Sequence, residues 1–151
     1  MLYHLIVGAI VPALVLGYQV VPCPDHLPIN APPIDIEIPG CPSTPCHVTR
    51  GTNITYQVRF FAAVDTPRMG LHMNSTVFGV ESPVELPPEL RDACNTIVEG
   101  CPVTEGQILT QRATIPVTSD FGGGIPAQLK FYISHDPGFY CTCAMVNIVI
   151  H

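Results

Sequence analysis

The stretch Cys41-Pro-Ser-Thr-Pro-Cys-His-Val-Thr-Arg-Gly51 places two cysteines five positions apart around two prolines. A long run of alternating apolar and polar residues follows it. Such a close pair has two interpretations, a metal knuckle or a disulfide that closes the corner of a small β-protein. The compartment of the protein and its other cysteines decide between them.

The chain begins with MLYHLIVGAIVPALVLG, an apolar run without an acidic residue. This run is too short for a comfortable bilayer span. Small residues at Val15 and Gly17 suit cleavage after Gly17, which predicts a secretory signal peptide over residues 1–17 and a mature domain over residues 18–151. Because the basic flank is weak, an uncleaved anchor remains the alternative.

Seven cysteines in a secreted chain of 151 residues indicate disulfides, since that compartment is oxidising. Two sequons, at Asn53 and Asn74, favour the same compartment, and we expect both asparagines to carry glycans. The cysteine and histidine spacings match no standard zinc motif, so no metal site is predicted. The expected location is the extracellular space or the endolysosomal lumen.

The formal net charge of −6, with only six Lys and Arg residues, excludes the basic surface that nucleic-acid binding requires. The chain contains no Gly-x-Ser-x-Gly, His-Glu-x-x-His or P-loop motif. The glycines after Phe121 lack the Lys and Ser/Thr of a phosphate loop and predict a flexible turn instead. No enzymatic activity and no cofactor are therefore expected.

Runs of period two fill most of the chain, and no stretch keeps a helical period over three turns. Such short alternating runs between turn signals predict an all-β sandwich of two antiparallel sheets. The candidate strands are residues 34–38, 54–62, 71–80, 107–117, 125–133 and 139–150. Residues 87–92 allow one short helical turn.

The cysteine positions leave open which residue pairs with Cys23. Cys41 with Cys46, and Cys94 with Cys101, are close enough in sequence to close local loops. A strand would place Cys141 and Cys143 on one face about 7 Å apart, too far to bond each other without distortion. One of the two should therefore pair with Cys23, and the other is a spare thiol.

The order of these motifs resembles the ML lipid-recognition domains. The Cys-Pro-Ser-Thr-Pro-Cys stretch is followed by a long strand, by Cys94 and Cys101-Pro, and by Phe-Tyr-Cys141 before a final strand. Within that family the chain is most similar to the soluble lumenal sterol carriers of the Niemann–Pick type C system. The resemblance implies a Cys23–Cys141 disulfide, which makes Cys143 the free thiol.

The resemblance also implies an immunoglobulin-like sandwich that holds a lipid in an apolar cavity between its sheets. Phe121 then lies at the entrance, beside the glycine turn, and the segment Pro83–Pro87 corresponds to a Pro-Val-Pro-Phe-Pro segment of the family. The lipid-binding residues implied by the resemblance are Ile36, Ile38, Ile54, Tyr56, Val58, Val84, Leu86, Pro116, Val117, Phe121, Leu129, Phe131 and Val146.

The function implied is that of a monomeric carrier that binds a cholesterol-like sterol and passes it, by transient membrane contact, to a membrane or a membrane acceptor protein. Two alternatives remain open. One is an extracellular binder of other lipids or apolar signals, as in divergent invertebrate members of the family. The other is a non-lipid interaction module whose core is filled by side chains.

Overall fold

The computed structural model describes residues 21–23, 31–118, 123–136 and 139–151. The predicted leader, residues 1–17, and the predicted entrance residue Phe121 lie outside these residues. The described strands are β1 (Val21–Pro22), β2 (Asp35–Glu37), β3 (Cys46–Val48), β4 (Asn53–Phe61), β5 (Gly70–Val77), β6 (Val80–Pro83), β7 (Ile108–Pro116), β8 (Pro126–Asp136) and β9 (Phe139–Ile150). A single helical turn, α1 (Pro88–Arg91), and a 3-10 turn (Ala93–Asn95) separate β6 from β7.

These strands form two sheets. The larger sheet has the order β1-β9-β8-β5-β6, and β3 also pairs with β9, in parallel. The smaller sheet has the order β2-β4-β7. The structure thus confirms the predicted fold, an all-β, immunoglobulin-like sandwich.

Alternation along the strands explains why the sheets face each other. In β4 the buried residues Ile54, Tyr56, Val58 and Phe60 alternate with more exposed ones, and β7 follows the same pattern. Side chains of successive residues point to opposite faces of a sheet, so each strand offers one apolar face to the other sheet. Burial of these faces forms one core between the two sheets.

The predicted strand over residues 71–80 is wrong in one respect, because it is a hairpin rather than one strand. β5 ends at Val77 and β6 begins at Val80. Phe78 and Gly79 between them have φ values of 49° and 78°. Positive φ at both central residues is the geometry that matches the twist of a two-residue hairpin.

The free edge of β7 is covered by the segment that follows the 3-10 turn. The Val98 amide donates to the carbonyl of Thr110 (2.8 Å), and the Arg112 amide donates to the carbonyl of Thr96 (2.9 Å). The Cys94–Cys101 disulfide closes the loop that contains this segment. The outer backbone groups of β7 at Thr110 and Arg112 are therefore paired locally.

Two predicted disulfides, Cys41–Cys46 and Cys94–Cys101, are present, but the third differs from the expectation. Cys23 bonds Cys143, with their Cα atoms 5.9 Å apart, and the free thiol is the buried Cys141. The Cys23–Cys141 pairing implied by the family resemblance is therefore wrong for this structure. So is the assignment of Cys143 as the free thiol.

Strand register explains the change of partner. β1 pairs with β9 so that Pro22 lies opposite Ala144, and one further step brings Cys23 opposite Cys143. The pairing of β8 with β9 is irregular at Cys141, because Ile133 pairs with Thr142 and Ser134 pairs with Tyr140. Such a bulge breaks the alternation that would otherwise keep Cys141 and Cys143 on one face.

Cys141 instead belongs to the core between the sheets. Burial raises the pKa of its thiol, and a hydrogen bond with the Ala63 backbone opposes only part of that rise. A buried, protonated thiol is a poor nucleophile. Cys141 is therefore a packing residue and is unsuited to exchange with the disulfide.

We predict that Cys143→Ser lowers the free energy of unfolding by about 2–4 kcal/mol, because it opens a bridge that spans most of the chain. Cys141→Ala should lower it by only about 1 kcal/mol, the loss of one small buried group. Urea denaturation of both variants measures the difference. Peptide mapping without reduction should recover Cys23 linked to Cys143, and a Cys23–Cys141 peptide would contradict the assignment.

A charged group lies buried on the outer face of the larger sheet. The Lys130 side chain is 7% exposed, and its Nζ lies 2.6 Å from Glu81 on the edge strand β6. The same carboxylate accepts hydrogen bonds from Asn74 (2.5 Å) and Tyr132 (3.2 Å). Hydrogen bonds from Lys130 and then Asn74 hold the pKa of Glu81 below its usual value. Glu81 thereby attaches β6 to β5 and β8.

We predict that Glu81→Gln lowers the free energy of unfolding by about 1 kcal/mol at neutral pH, because Lys130 loses its counterion. Since the pKa of Glu81 is lower in the folded state, its contribution is present above the unfolded value of 4.5 and is lost as the pH falls through the folded pKa. The difference between wild type and variant should therefore shrink in acid.

Glu85→Gln is the matched control, because the Glu85 side chain is 92% exposed and lies 3.6 Å from Arg91. Urea denaturation of both variants across the acid range measures the effect. A Glu81→Gln deficit that is the same at every pH would show that the ion pair does not stabilise the fold.

Candidate functional site

Among the described residues, the space between the two sheets includes two small, largely enclosed cavities, and a larger cleft lies at one end. The deeper cavity, of about 10 Å³, lies between β2, β4 and β7 on one side and β8 and β9 on the other. Its lining residues are Ile36, Tyr56, Val58, Gln111, Phe131, Ile133, Thr142 and Ala144.

The second cavity, of about 20 Å³, lies nearer the open end. It is lined by Ile54, Met73, Val84, Ile115, Pro116, Val117, Leu129, Ile148 and Ile150. Both cavities are almost entirely apolar in surface, but each has room for little more than one water molecule. The sheets thus approach closely at both of these positions.

The cleft at the open end measures about 660 Å³ and lies between the β5–β6 side of the larger sheet and the end of β7. Val84, Ile115 and Pro116 line both the cleft and the second cavity. These three residues therefore form an apolar wall shared by the cleft and the second cavity. The remaining described lining residues of the cleft are Ser75, Val77, Pro83, Glu85, Leu86, Pro87, Arg91 and Thr118.

Arg91 fixes one wall of the cleft. Its Nε donates to the carbonyl of Leu86 (2.9 Å), and its guanidinium lies 3.6 Å from Glu85. The segment that precedes α1 is therefore held against the helical turn, with the Leu86 side chain buried. The charged groups remain on the rim, so the passage inward is apolar.

Most of the residues that the sequence predicted for the site line these spaces. Ile36, Tyr56, Val58 and Phe131 line the deep cavity, and Ile54, Val117 and Leu129 line the second one. Leu86 lines the cleft, and Val84 and Pro116 line both the cleft and the second cavity. Ile38 and Val146 are buried in the core but line neither cavity, and Phe121 lies outside the described residues. The role of all the predicted site residues in lipid binding stays a prediction.

Sequence reasoning missed several lining residues, among them two polar ones. Gln111 and Thr142 line the deep cavity, and both are buried. Gln111 was detectable in principle, because it occupies an inward position between Leu109 and Ala113 in an alternating strand. Thr142 was not, since the bulge beside it changes which residues of β9 face inward. The other missed residues are Met73, Ile115, Ile133, Ala144, Ile148 and Ile150.

An aromatic contact closes the deep cavity on the side of the cleft. The rings of Tyr56 and Phe131 lie 4.6 Å apart, one from each sheet. Ile54 and Leu129 lie two positions from Tyr56 and Phe131 along β4 and β8, on the side of the cleft, and they line the second cavity. The Tyr56–Phe131 contact therefore separates the two cavities.

Burial raises the pKa of the Tyr56 hydroxyl far above its ordinary value, and the nearby Gln111 side chain opposes part of that rise. The two groups are close but do not have the distance and angles of a hydrogen bond. At physiological pH the phenol is neutral. The deep cavity thus contains polar groups without charge.

Among the described residues, no group of three or more histidine, cysteine, aspartate or glutamate side chains is arranged to hold a metal ion. The opening cysteine pair is a disulfide, which decides between its two interpretations. In the same part of the chain, no helix is both long enough and apolar enough to cross a membrane.

Comparison with known families agrees with this geometry. The family model of the ML domain matches residues 17–150. The chain belongs to the ML domain family. This confirms the resemblance seen in the sequence, and at family level the chain is a lipid-binding protein of a non-catalytic group. No curated protein sequence matches the chain.

Two solved structures are similar in fold. The Niemann-Pick type C2 protein from Japanese carpenter ant superposes with a TM-score of 0.73 at 17% identity, covering 87% of this chain and 98% of that one. The C-terminal domain of wzt superposes with a TM-score of 0.52 at 16% identity, covering 79% of this chain and 72% of that one. At such low identity these similarities support the sandwich fold alone.

We predict that Val84→Trp reduces lipid binding at least tenfold, because Val84 lines both the cleft and the interior and a larger ring would obstruct the passage. Val84 is only half-buried, so the protein should unfold near the wild-type temperature. The matched control is Val80→Trp on the preceding strand β6, since Val80 is 67% exposed and lines none of these spaces. Titration with a fluorescent lipid measures binding, and unchanged affinity in Val84→Trp would place the entrance elsewhere.

Proposed function

We propose that this protein is a secreted or lumenal carrier that binds a cholesterol-like sterol between its sheets and transfers it to a membrane or a membrane acceptor protein. Residues 1–17 serve as a cleaved leader in this proposal, and the family match that begins at residue 17 supports that boundary. The extracellular space or the endolysosomal lumen is the site of action, which the three disulfides support.

The observation that carries the proposal is that the cleft and the second cavity share an apolar wall, which marks a path for a ligand into the sandwich. Val84, Ile115 and Pro116 line the rim of the cleft and the wall of the second cavity. Beyond them the path meets only apolar side chains as far as the Tyr56–Phe131 contact. A sterol that follows this path loses its contact with water, and burial of apolar surface contributes about 25 cal/mol per Å².

Entry of a sterol requires the sheets to move apart. The cavities of about 10 and 20 Å³ are far smaller than the roughly 300–1,000 Å³ of sites that enclose a ligand of this size. The smaller sheet has three strands, whereas β8 and β9 of the larger sheet form a long pair. Outward movement of the smaller sheet, with rearrangement of adaptable side chains such as Met73, provides the space.

A second candidate is favoured by the small internal volume. A carrier of smaller apolar molecules, such as a lipid-derived signal, needs less separation of the sheets than a sterol carrier does. The same cleft and path serve this function. The two candidates differ in the size and chemical class of the ligand, while the entrance and the direction of entry are shared.

Native mass spectrometry of protein secreted by eukaryotic cells tests the proposal. A bound mass that fragments as a sterol supports the sterol carrier, and a smaller apolar ligand supports the second candidate. Val84→Trp, expressed in parallel, should lose the bound mass. Protein that carries no lipid and takes up neither added cholesterol nor hexadecanol would contradict both candidates and favour a protein-interaction module.

A further inference from the structure

Three buried polar atoms that belong to residues lining the deep cavity have no hydrogen-bond partner among the described residues. They are the Tyr56 hydroxyl, Gln111 Oε1 and the Thr142 hydroxyl. The relative exposures of these residues are 1%, 0% and 2%. Buried polar groups in native proteins are nearly always paired, and each unpaired one is destabilising by about 1–3 kcal/mol. Three of them at one cavity therefore call for an explanation.

The orientation of the Gln111 amide is fixed by its surroundings. The Thr96 hydroxyl donates to the carbonyl of Ala93 (3.0 Å), so its oxygen accepts from Gln111 Nε2 (3.1 Å). One N–H of Gln111 Nε2 is therefore used, which fixes Oε1 as the acceptor on the other side of the amide group. The hydroxyls of Tyr56 and Thr142 can each donate or accept.

We propose that this cluster recognises the hydroxyl group of a neutral lipid, which enters the sandwich with its polar end first. A hydroxyl group donates one hydrogen bond to Gln111 Oε1 and accepts one from Tyr56 or Thr142. The lipid hydroxyl needs one acceptor and one donor, and the cluster offers both. The inference rests on the proposed function, because it presumes that a lipid enters through the cleft.

An ionised carboxylate fits the cluster poorly. Gln111 Oε1 would face another acceptor, and burial of a charge without a counterion is strongly unfavourable. Basic side chains on the neighbouring strands lie on outer faces, where Lys130 pairs with Glu81 and Arg59 pairs with Asp35. A saturated hydrocarbon would leave all three polar atoms unpaired. A neutral alcohol is thus favoured over both.

The position of the cluster gives the ligand its orientation. Gln111 lies five residues from Pro116 along β7, or about 17 Å at the rise of a strand. Pro116 lines the cleft, so the cluster is at the far end of the apolar path. Separation of the sheets would part the Tyr56 and Phe131 rings, and the hydrocarbon part of the ligand would then occupy the region between this pair and the cleft, where every lining residue is apolar.

Matched ligand pairs test the inference. Cholesterol is compared with the deoxy analogue that lacks its hydroxyl group, and hexadecanol is compared with hexadecane and with hexadecanoate at neutral pH. We expect the wild-type protein to bind the alcohol of at least one pair roughly tenfold more tightly than the matched hydrocarbon. Hexadecanoate should bind more weakly than hexadecanol.

Three variants locate the recognition, namely Gln111→Leu, Thr142→Val and Tyr56→Phe. Each removes a polar atom and keeps most of the side-chain volume. Each should reduce the preference for the alcohol while binding of the hydrocarbon is unchanged or tighter. The thermal midpoint of the ligand-free variants should stay level or rise, because an unpaired buried group has been removed. Thr114→Val, on the exposed face of β7, is the matched control and should retain the full preference.

The outcomes separate this inference from the proposed function. Equal affinity for alcohol and hydrocarbon, or a preference that survives in all three variants, overturns the inference and leaves the lipid carrier intact. Tighter binding of hexadecanoate than of hexadecanol also overturns it. Failure of every ligand to bind the wild-type protein overturns the proposed function and the inference together.

Discussion

Burial of β9 on both of its faces is the constraint on which the rest of the structure depends. Residues 141–146 are all buried, and the strand pairs along its length with β8 and at successive points of its other edge with β1 and β3. Its inward residues form part of the floor of both cavities, and its Cys143 bonds the N-terminal segment. A shift of this strand by one residue would turn its inward side chains outward and break the disulfide register at once.

The strand positions could be predicted because alternation is a local property of the sequence. It placed Tyr56, Val58 and Phe131 on inward faces, where the structure also has them. The β5–β6 hairpin could not be predicted from the same signal, since the exposed Phe78 continues an apolar run through a turn. The partner of Cys23 depends on register and on a bulge, which arise from contacts between strands distant in sequence.

The residues of the candidate site likewise divide into those that the sequence reveals and those that it does not. Apolar lining residues are indistinguishable in sequence from ordinary core residues, so only the family resemblance distinguished the lining residues from the rest of the core. Gln111 is different, because a polar residue at an inward position of a regular strand is a conflict between local pattern and burial. Such conflicts are visible without a structure, and here one of them marks the deep end of the cavity. Lipid binding can relieve the conflict by supplying the missing partner, whereas packing alone cannot.

The short strands at the sheet edges have a consequence for encounters between copies of the protein. In the larger sheet the described edges are the two-residue β1, the three-residue β3 and the four-residue β6, which ends at Pro83. In the smaller sheet β2 is short and acidic, and β7 is covered by the segment around Val98. Within the described residues, no long open edge remains to template strand addition. If the sheets separate to admit a ligand as proposed, the sandwich would therefore open without presenting a β-edge that would seed aggregation.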